Sequence, residues 1–439
     1  MRRRPQAGQA LVVMLAFTAS LLGAFFLVFN VGQTVNDKAR LVNAADAAAY
    51  SAALWEARSL NFQAYTNRAI VANEVAIAQF VSLRSWSAYL GRTLENVSIA
   101  TSWIPPLGRI LQLLARSWRT VDQTLQSSLP AAEGAISRWN VDALSLAQSF
   151  AHQQALIAAA DLVEDVAKRT EPRAEVSAST RQLQVRNAAG WQNGLTSRYR
   201  RGSGELNRVR DLILASRDGF TADRRADLVP ANPLASLPKR GGTDLIGEYS
   251  WRGMDTFAAH VDLLFDDLEV PIGWGAAENR RLPVVGRGIH GRSVSTNPRA
   301  SRLAQLSLRP RSGYQGIPEI RDIARPTRRE DLRLAYTVEL QIPEGALATA
   351  DRVAIPHGIM TTDGAAMSTA PQFAGSALHA MGAAELYFRR PAARSDARRE
   401  YPSLFSPYWQ AHLVPVAATD RLLAARAKGL SVDPYAVLP

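Results

Sequence analysis

The sequence predicts an α+β fold in which an N-terminal transmembrane helix continues into a long helical region and a small, mostly antiparallel sheet closes the C-terminal end. Three observations predict it. Ala10 to Phe29 is an uncharged run of 20 residues, with nothing more polar than Thr18 and Ser20. Gln33 to Leu90 runs for 58 residues without Gly or Pro, the two residues that most strongly interrupt helices. Leu332 to Ile342 alternates apolar and polar side chains over eleven residues, the period of a half-buried strand.

The first element is a membrane anchor. Ala10, Leu11, Val12, Leu15, Leu22, Phe25, Phe26 and Phe29 supply its apolar surface, and at 1.5 Å per residue the run spans about 30 Å, one bilayer core. A cleaved signal peptide has a shorter apolar region ending in a small-x-small site; this run ends in Asn30-Val31-Gly32-Gln33. Arg2, Arg3 and Arg4 precede it and the first charges after it are Asp37 and Lys38, so the positive-inside rule places the N-terminus in the cytoplasm.

The second element is the Gly- and Pro-free stretch. Fifteen of its 58 residues are Ala, and Ala45, Ala48, Ala49 and Ala52 share one face at i, i+3 and i+4 spacing, where a second helix can approach closely. Packing within the chain and packing on neighbouring subunits both suit that face. Ile70, Val71, Val75, Ile77, Phe80, Val81 and Leu83 must also be covered, while Asn73, Glu74 and Gln79 are expected to keep one side polar. Ile104-Pro105-Pro106-Leu107-Gly108 breaks the helix; helical periodicity resumes from Ile110 to about Leu129, stops at Pro130, and runs from Ile136 to about Lys168 before Pro172. Short connections suggest an antiparallel bundle.

The chain divides into residues 1–32 (basic tip and anchor), 33–172 (Ala-rich helical region), 173–330 (irregular, rich in Arg, Pro and Gly) and 331–439 (β-containing). Arg280 to Glu330 carries 12 Arg against 3 acidic residues and reads as a solvated linker, or as a surface for anionic headgroups, cell-wall polymer or an acidic partner. Strand signals come only late: Leu332 to Ile342, then Ala384 to Phe388 and Tyr408 to Val414, in a sheet that must bury a face elsewhere.

The chemistry of catalysis finds little support, and the expectation is a protein that is not an enzyme and holds no cofactor or metal. A hydrophobic content of 47% fits a folded chain, and the absence of Cys excludes disulfides and thiolate sites. The net charge of +12 comes with 47 Arg and only 4 Lys, the mark of a codon bias, so nucleic-acid binding is not expected. His152, His260, His290, His357, His379 and His412 are scattered, with no His-Glu-x-x-His pair. The acidic run His260 to Glu269 interleaves with Leu263, Leu264, Phe265 and Leu268 as on an amphipathic helix; Asp266, Asp267 and His260 would be the candidates of an enzymatic alternative. Gly286-Arg287-Gly288-Ile289-His290-Gly291 matches a dinucleotide fingerprint by letters, but Arg292 to Pro298 does not read as the helix it requires.

The N-terminal residues also carry a resemblance. Gly8-Gln9-Ala10-Leu11-Val12, Phe29-Asn30, Gly32-Gln33, Asn36-Asp37-Lys38, Arg40 to Ser51 with its Asn43-Ala44-Ala45-Asp46-Ala47-Ala48-Ala49 block, Asn67-Arg68-Ala69 and Ala72-Asn73 together resemble the N-terminal module of Tad-type (tight adherence, Flp) pilus assembly proteins, the TadE/TadG-like group, over about the first 95 residues. The resemblance implies a single-pass protein of a bacterial inner membrane whose periplasmic part works as a scaffold or minor pilin-like subunit in assembly of a pilus or related secretion apparatus. It implies other apparatus proteins as partners, with self-association through the Ala-rich helix as one contact. Gly8 is the corresponding processing point; cleavage there would leave Val13 as the fifth residue, where pilin-like members usually carry Glu. An Asp-x-Ser-x-Ser adhesion motif is absent from the sequence. The alternative function is a membrane-tethered binding module for an anionic partner, and behind it a cell-wall-acting enzyme.

Overall fold

A computed structural model of the chain describes residues 9–228, 235–263, 266–281, 291–324, 332–349, 376–398 and 400–429. Its spine is α1 (Gln9–Ala100), one unbroken helix of 92 residues and about 140 Å. Thr101 to Ile104 turn the chain, and Pro105 and Pro106 start α2 (Pro105–Arg138) at positions where a missing N–H costs nothing. Pro130 was expected to end a helix and does not: it lies inside α2. Tertiary contacts outweigh the lost backbone bond. The Gln126 amide donates to the Arg84 carbonyl at 2.9 Å and Arg84 pairs with Glu133 at 3.1 Å, pinning α2 to α1 on both sides of the proline. A π-helical stretch, Trp139–Ser145, leads into α3 (Leu146–Thr170). Its wide turn brings Asn140 inward to Asn73 and Glu74 of α1.

After α3 come β1 (Glu175–Val176), α4 (Ala178–Ala189), a second π-helical turn, β2 (Thr196–Tyr199), α5 (Gly204–Ala215), α6 (Gly219–Ala222), β3 (Ala226–Asp227), β4 (Ala235–Ser236), β5 (Pro238–Ile246), β6 (Ser250–Leu263) and β7 (Asp266–Arg280). Then follow α7 (Gly291–Thr296), α8 (Pro298–Ser307), β8 (Pro310–Arg311), β9 (Ile320–Ile323), β10 (Arg333–Pro343), β11 (Ala377–Phe388), β12 (Trp409–Leu413) and α9 (Ala418–Ala427). Among the described residues these strands form three sheets: β1-β10-β11-β12; the pair β2-β9; and β3-β5-β6-β7-β8 with β4 on β6.

The α+β expectation holds, and β10, β11 and β12 form antiparallel neighbours as the late strand signals suggested. The irregular character expected of residues 173–330 does not. The longest strands, β6 and β7 with 14 and 15 residues, lie there. Their periodicity is hidden because both faces are covered. Gly253, Gly273 and Gly275 turn to α1, while Met254 and Ala276 pack with Ala304 of α8. Buried charges such as Asp255 and Glu278 interrupt the apolar run. The acidic run from His260, expected as an amphipathic helix, falls where it is described on the ends of two strands, His260 to Leu263 in β6 and Asp266 to Glu269 in β7, with Val261 opposite Leu268. Residues after Gly291, expected to be non-helical, form the short helices α7 and α8.

Candidate functional site: the membrane-rooted spine

The helix α1 changes its surroundings along its length. Leu11, Val12, Leu15, Leu22, Phe25 and Phe29 are between 43% and 71% exposed; Ala10 is exposed and Phe26 partly so. No residue of the most apolar 18-residue window, mean hydropathy 2.5, is buried by the rest of the chain. A cylinder of leucine and phenylalanine with no protein cover is long and apolar enough to cross a bilayer. Arg2, Arg3, Arg4 and Gly8 lie outside the described residues.

Beyond the anchor the same helix is core. Asp37, the first charge, is 1% exposed. Arg173 grips it with Nη2 at 2.7 Å and Nη1 at 3.2 Å, the Ala348 N–H donates to it at 2.9 Å, and Arg173 Nε also holds Glu171 at 2.8 Å. Burial alone would raise the Asp37 carboxyl, but these donors hold it below its ordinary value. The start of the extramembrane part is thus clamped to the segment that follows α3.

Ala45, Ala48, Ala49 and Ala52 come next, all 0% exposed. They pack with Ala159 and Val163 of α3 and with Val338, Leu340 and Ala380 of the β10–β11 pair. The face is therefore filled within the chain, and a second copy cannot use it while this packing persists. Gly382, opposite Val338, sits directly on it: a Cβ there would fall 2.4 Å from the Ala45 carbonyl carbon. The leucine in Ala48→Leu is expected to cost about 1 to 3 kcal/mol of folding stability by overpacking this contact, read by chemical denaturation of the detergent-solubilised chain. Unchanged stability would mean that the face opens toward other molecules.

Further along, the buried side of α1 is studded with polar groups. Glu56 is fully buried, and neither carboxylate oxygen has a hydrogen-bond partner among the described residues; burial pushes its pKa up to about 8. Gln63 and Asn67 join Gln148 and His152 of α3; the Gln148 amide reaches Asn67 Oδ1 at 2.6 Å, and the His152 ring stacks on Trp191 at 4.9 Å. Burial, and then Arg321, depress His152 to about 3, so the ring is neutral. Glu74, expected on a polar outer side, is buried instead. It accepts from Tyr314 Oη at 2.7 Å, Trp251 Nε1 at 3.1 Å and Asn140 Nδ2 at 3.1 Å, yet burial still lifts it to about 7. These groups tie α1, α3 and the β6–β7 sheet together, and sequence periodicity did not reveal them because each polar residue sits among apolar neighbours on the same helical face.

The groups singled out for chemistry do not converge. His260 Nε2 meets Asn297 Oδ1 at 3.0 Å near the end of β6. The side chains of Asp266 and Asp267, the region 282–290 with most of the glycine-rich loop, and His357 lie outside what the structure describes. Among the described residues no group of three His, Asp or Glu side chains could hold a metal ion.

A helix that is bare, apolar and long enough at its N-terminal end to cross a membrane, and that becomes the buried axis of an α+β body, suggests a membrane anchor joined to a folded part. Within it, residues 8–56 match the family described as putative Flp pilus-assembly TadE/G-like. The match bears out the resemblance read from the anchor and the Asn43 to Ala49 block, and ends at Glu56 rather than near residue 95. No curated protein and no solved structure matches the chain.

Proposed function

We propose that this chain is a single-pass inner-membrane accessory protein of a Tad-type pilus or related secretion apparatus, acting as an assembly scaffold. Its N-terminus faces the cytoplasm and its folded part the periplasm. Its role is to hold and position other apparatus proteins rather than to catalyse a reaction. The observation that carries this reading is the continuity of α1: the residues matched by the family, 8–56, contain both the anchor and the alanine face, and that face is committed to the chain's own sheet and α3. A subunit that polymerised through this helix would need the face free. A scaffold that stays in the membrane needs it filled, since a rigid helix rooted in the bilayer then carries the whole extramembrane body at a fixed height.

The test is the intact mass of the native protein in washed envelopes and in appendages sheared from the cell surface. The expected result is a full-length chain confined to the envelope. A chain shortened at Gly8 and recovered from sheared fibres would make it a processed minor pilin.

A further inference from the structure

A cleft of about 320 Å³ lies between α1, α2, β7 and the segment after α8. Five arginines line it: Arg84 and Arg92 from α1, Arg119 from α2, and Arg309 and Arg311 from the Arg-rich segment. Only Glu95 and Asp122 oppose them in the lining. Glu95 is shared by Arg92 at 3.0 Å and Arg119 at 3.3 Å, while Asp122 accepts from the Gln126 amide at 3.2 Å. Arg84, 1% exposed, forms the floor. Its Nε and Nη1 are taken by Gln126 and Glu133, and its Nη2 makes no hydrogen bond among the described residues. The guanidiniums of Arg309 and Arg311 have no ion pair or hydrogen bond among the described residues either.

With Glu133 counted beside Glu95 and Asp122, five guanidiniums face three carboxylates, and the positive excess falls on Arg309 and Arg311 at the exposed side of the cleft, where it favours an anion. We propose that the cleft binds a short acidic peptide segment of a partner protein, through two or more carboxylates. Three features favour that ligand. Guanidinium forks match planar carboxylates pairwise. The lining comes from helix interiors and strand, with no helix N-terminus to offer the backbone N–H groups typical of compact phosphate sites. Ala88, Gly91, Ala115 and Ala276 leave room for a peptide backbone beside Trp274, whose ring Arg92 covers at 5.4 Å. The bilayer holding the anchor is a poor source of the anion, since Arg84 stands about 80 Å along α1 from Phe29. This site is independent of the pilus reading.

The experiment is fluorescence anisotropy of a labelled oligoglutamate peptide with the full chain in neutral detergent. Saturable binding is expected, weakening steeply with added salt. Arg309→Gln with Arg311→Gln should weaken it about tenfold or more, whereas Arg181→Gln with Arg426→Gln, the same charge change on exposed positions outside the cleft, should change it less than about twofold. Both pairs are exposed, and matching thermal melts will check their folding. Equal losses in the two variants, or none in either, overturn the proposal. So does pyrophosphate competing more strongly than unlabelled oligoglutamate, which would assign the cleft to a small phosphate, or capture of anionic-lipid vesicles that depends on Arg309 and Arg311.

Discussion

Replacing Gly382 with alanine is expected to lower folding stability by about 3 kcal/mol or more, an unusually large effect for one methyl group. The contact involves backbone on both sides. The added carbon would lie 2.4 Å from the Ala45 carbonyl carbon, 2.5 Å from its oxygen and 2.6 Å from the Asp46 nitrogen. No rotamer change relieves a clash with main chain, so β11 must move away from α1. It carries β10 and β12 with it, and Tyr336, Val338, Leu340 and Ile342 lose part of their cover. Thermal melting by circular dichroism, with proteolysis at the β10–β11 hairpin, measures the effect. Gly345→Ala is the control, since a Cβ there has nothing within 4 Å. Similar stability for the two variants would show that α1 and the sheet are not held this closely.

Gly382 also shows where sequence reasoning stops. The alanine face of α1 was legible, because small residues at i, i+3 and i+4 announce a close approach. What approaches it was not: besides Ala159 and Val163 of α3 the face meets the β10–β11 pair, with its tightest contact at Gly382 more than 300 positions away, and nothing local marks that glycine. Long periodic elements were read correctly where one face is apolar, as in β10, although Thr337 and Glu339 on its other face are buried too, beneath α4 and α9. The middle strands were missed for the converse reason. Gly241, Gly242, Gly253, Gly273, Gly275, Pro238 and Pro271 all disfavour strands by propensity, yet in β6 and β7 glycine is what lets the sheet lie on α1. At Gly275 a Cβ would meet the Ser85 oxygen and Tyr89 nitrogen, each at 2.3 Å. The Arg-rich segment was recognised as a charge concentration, but its meeting with Arg84, Arg92 and Arg119 depends on the tertiary fold.

The buried carboxyls of α1 give the other large expected effects. Glu74→Ala should cost about 3 to 5 kcal/mol, because it strands three donors, Trp251 Nε1, Tyr314 Oη and Asn140 Nδ2, away from water. Glu74→Gln keeps the shape and one acceptor and should cost clearly less. The same burial sets the pH dependence. Glu74 and Glu56 are raised from 4.5 to about 7 and about 8, respectively. From pH 4.5 up to those values the folded state therefore holds protons that the unfolded chain has released, and stability falls as pH rises through that window. Asp37, Glu171 and Asp420, held low by Arg173 and Arg186, act in the opposite direction, but only in more acid solution; His152, lowered from 6.5 to about 3, also opposes the trend up to about pH 6.5, but less strongly than the two glutamates drive it between pH 5 and 8. Denaturation midpoints should accordingly be higher near pH 5 than near pH 8. Glu56→Gln, which cannot ionise, should match the parent at the acid end and exceed it by about 4 kcal/mol at the alkaline end. A parent profile that is flat, or one that Glu56→Gln leaves unaltered, would mean that Glu56 reaches water or a counter-charge and is not the isolated buried acid beside Tyr336.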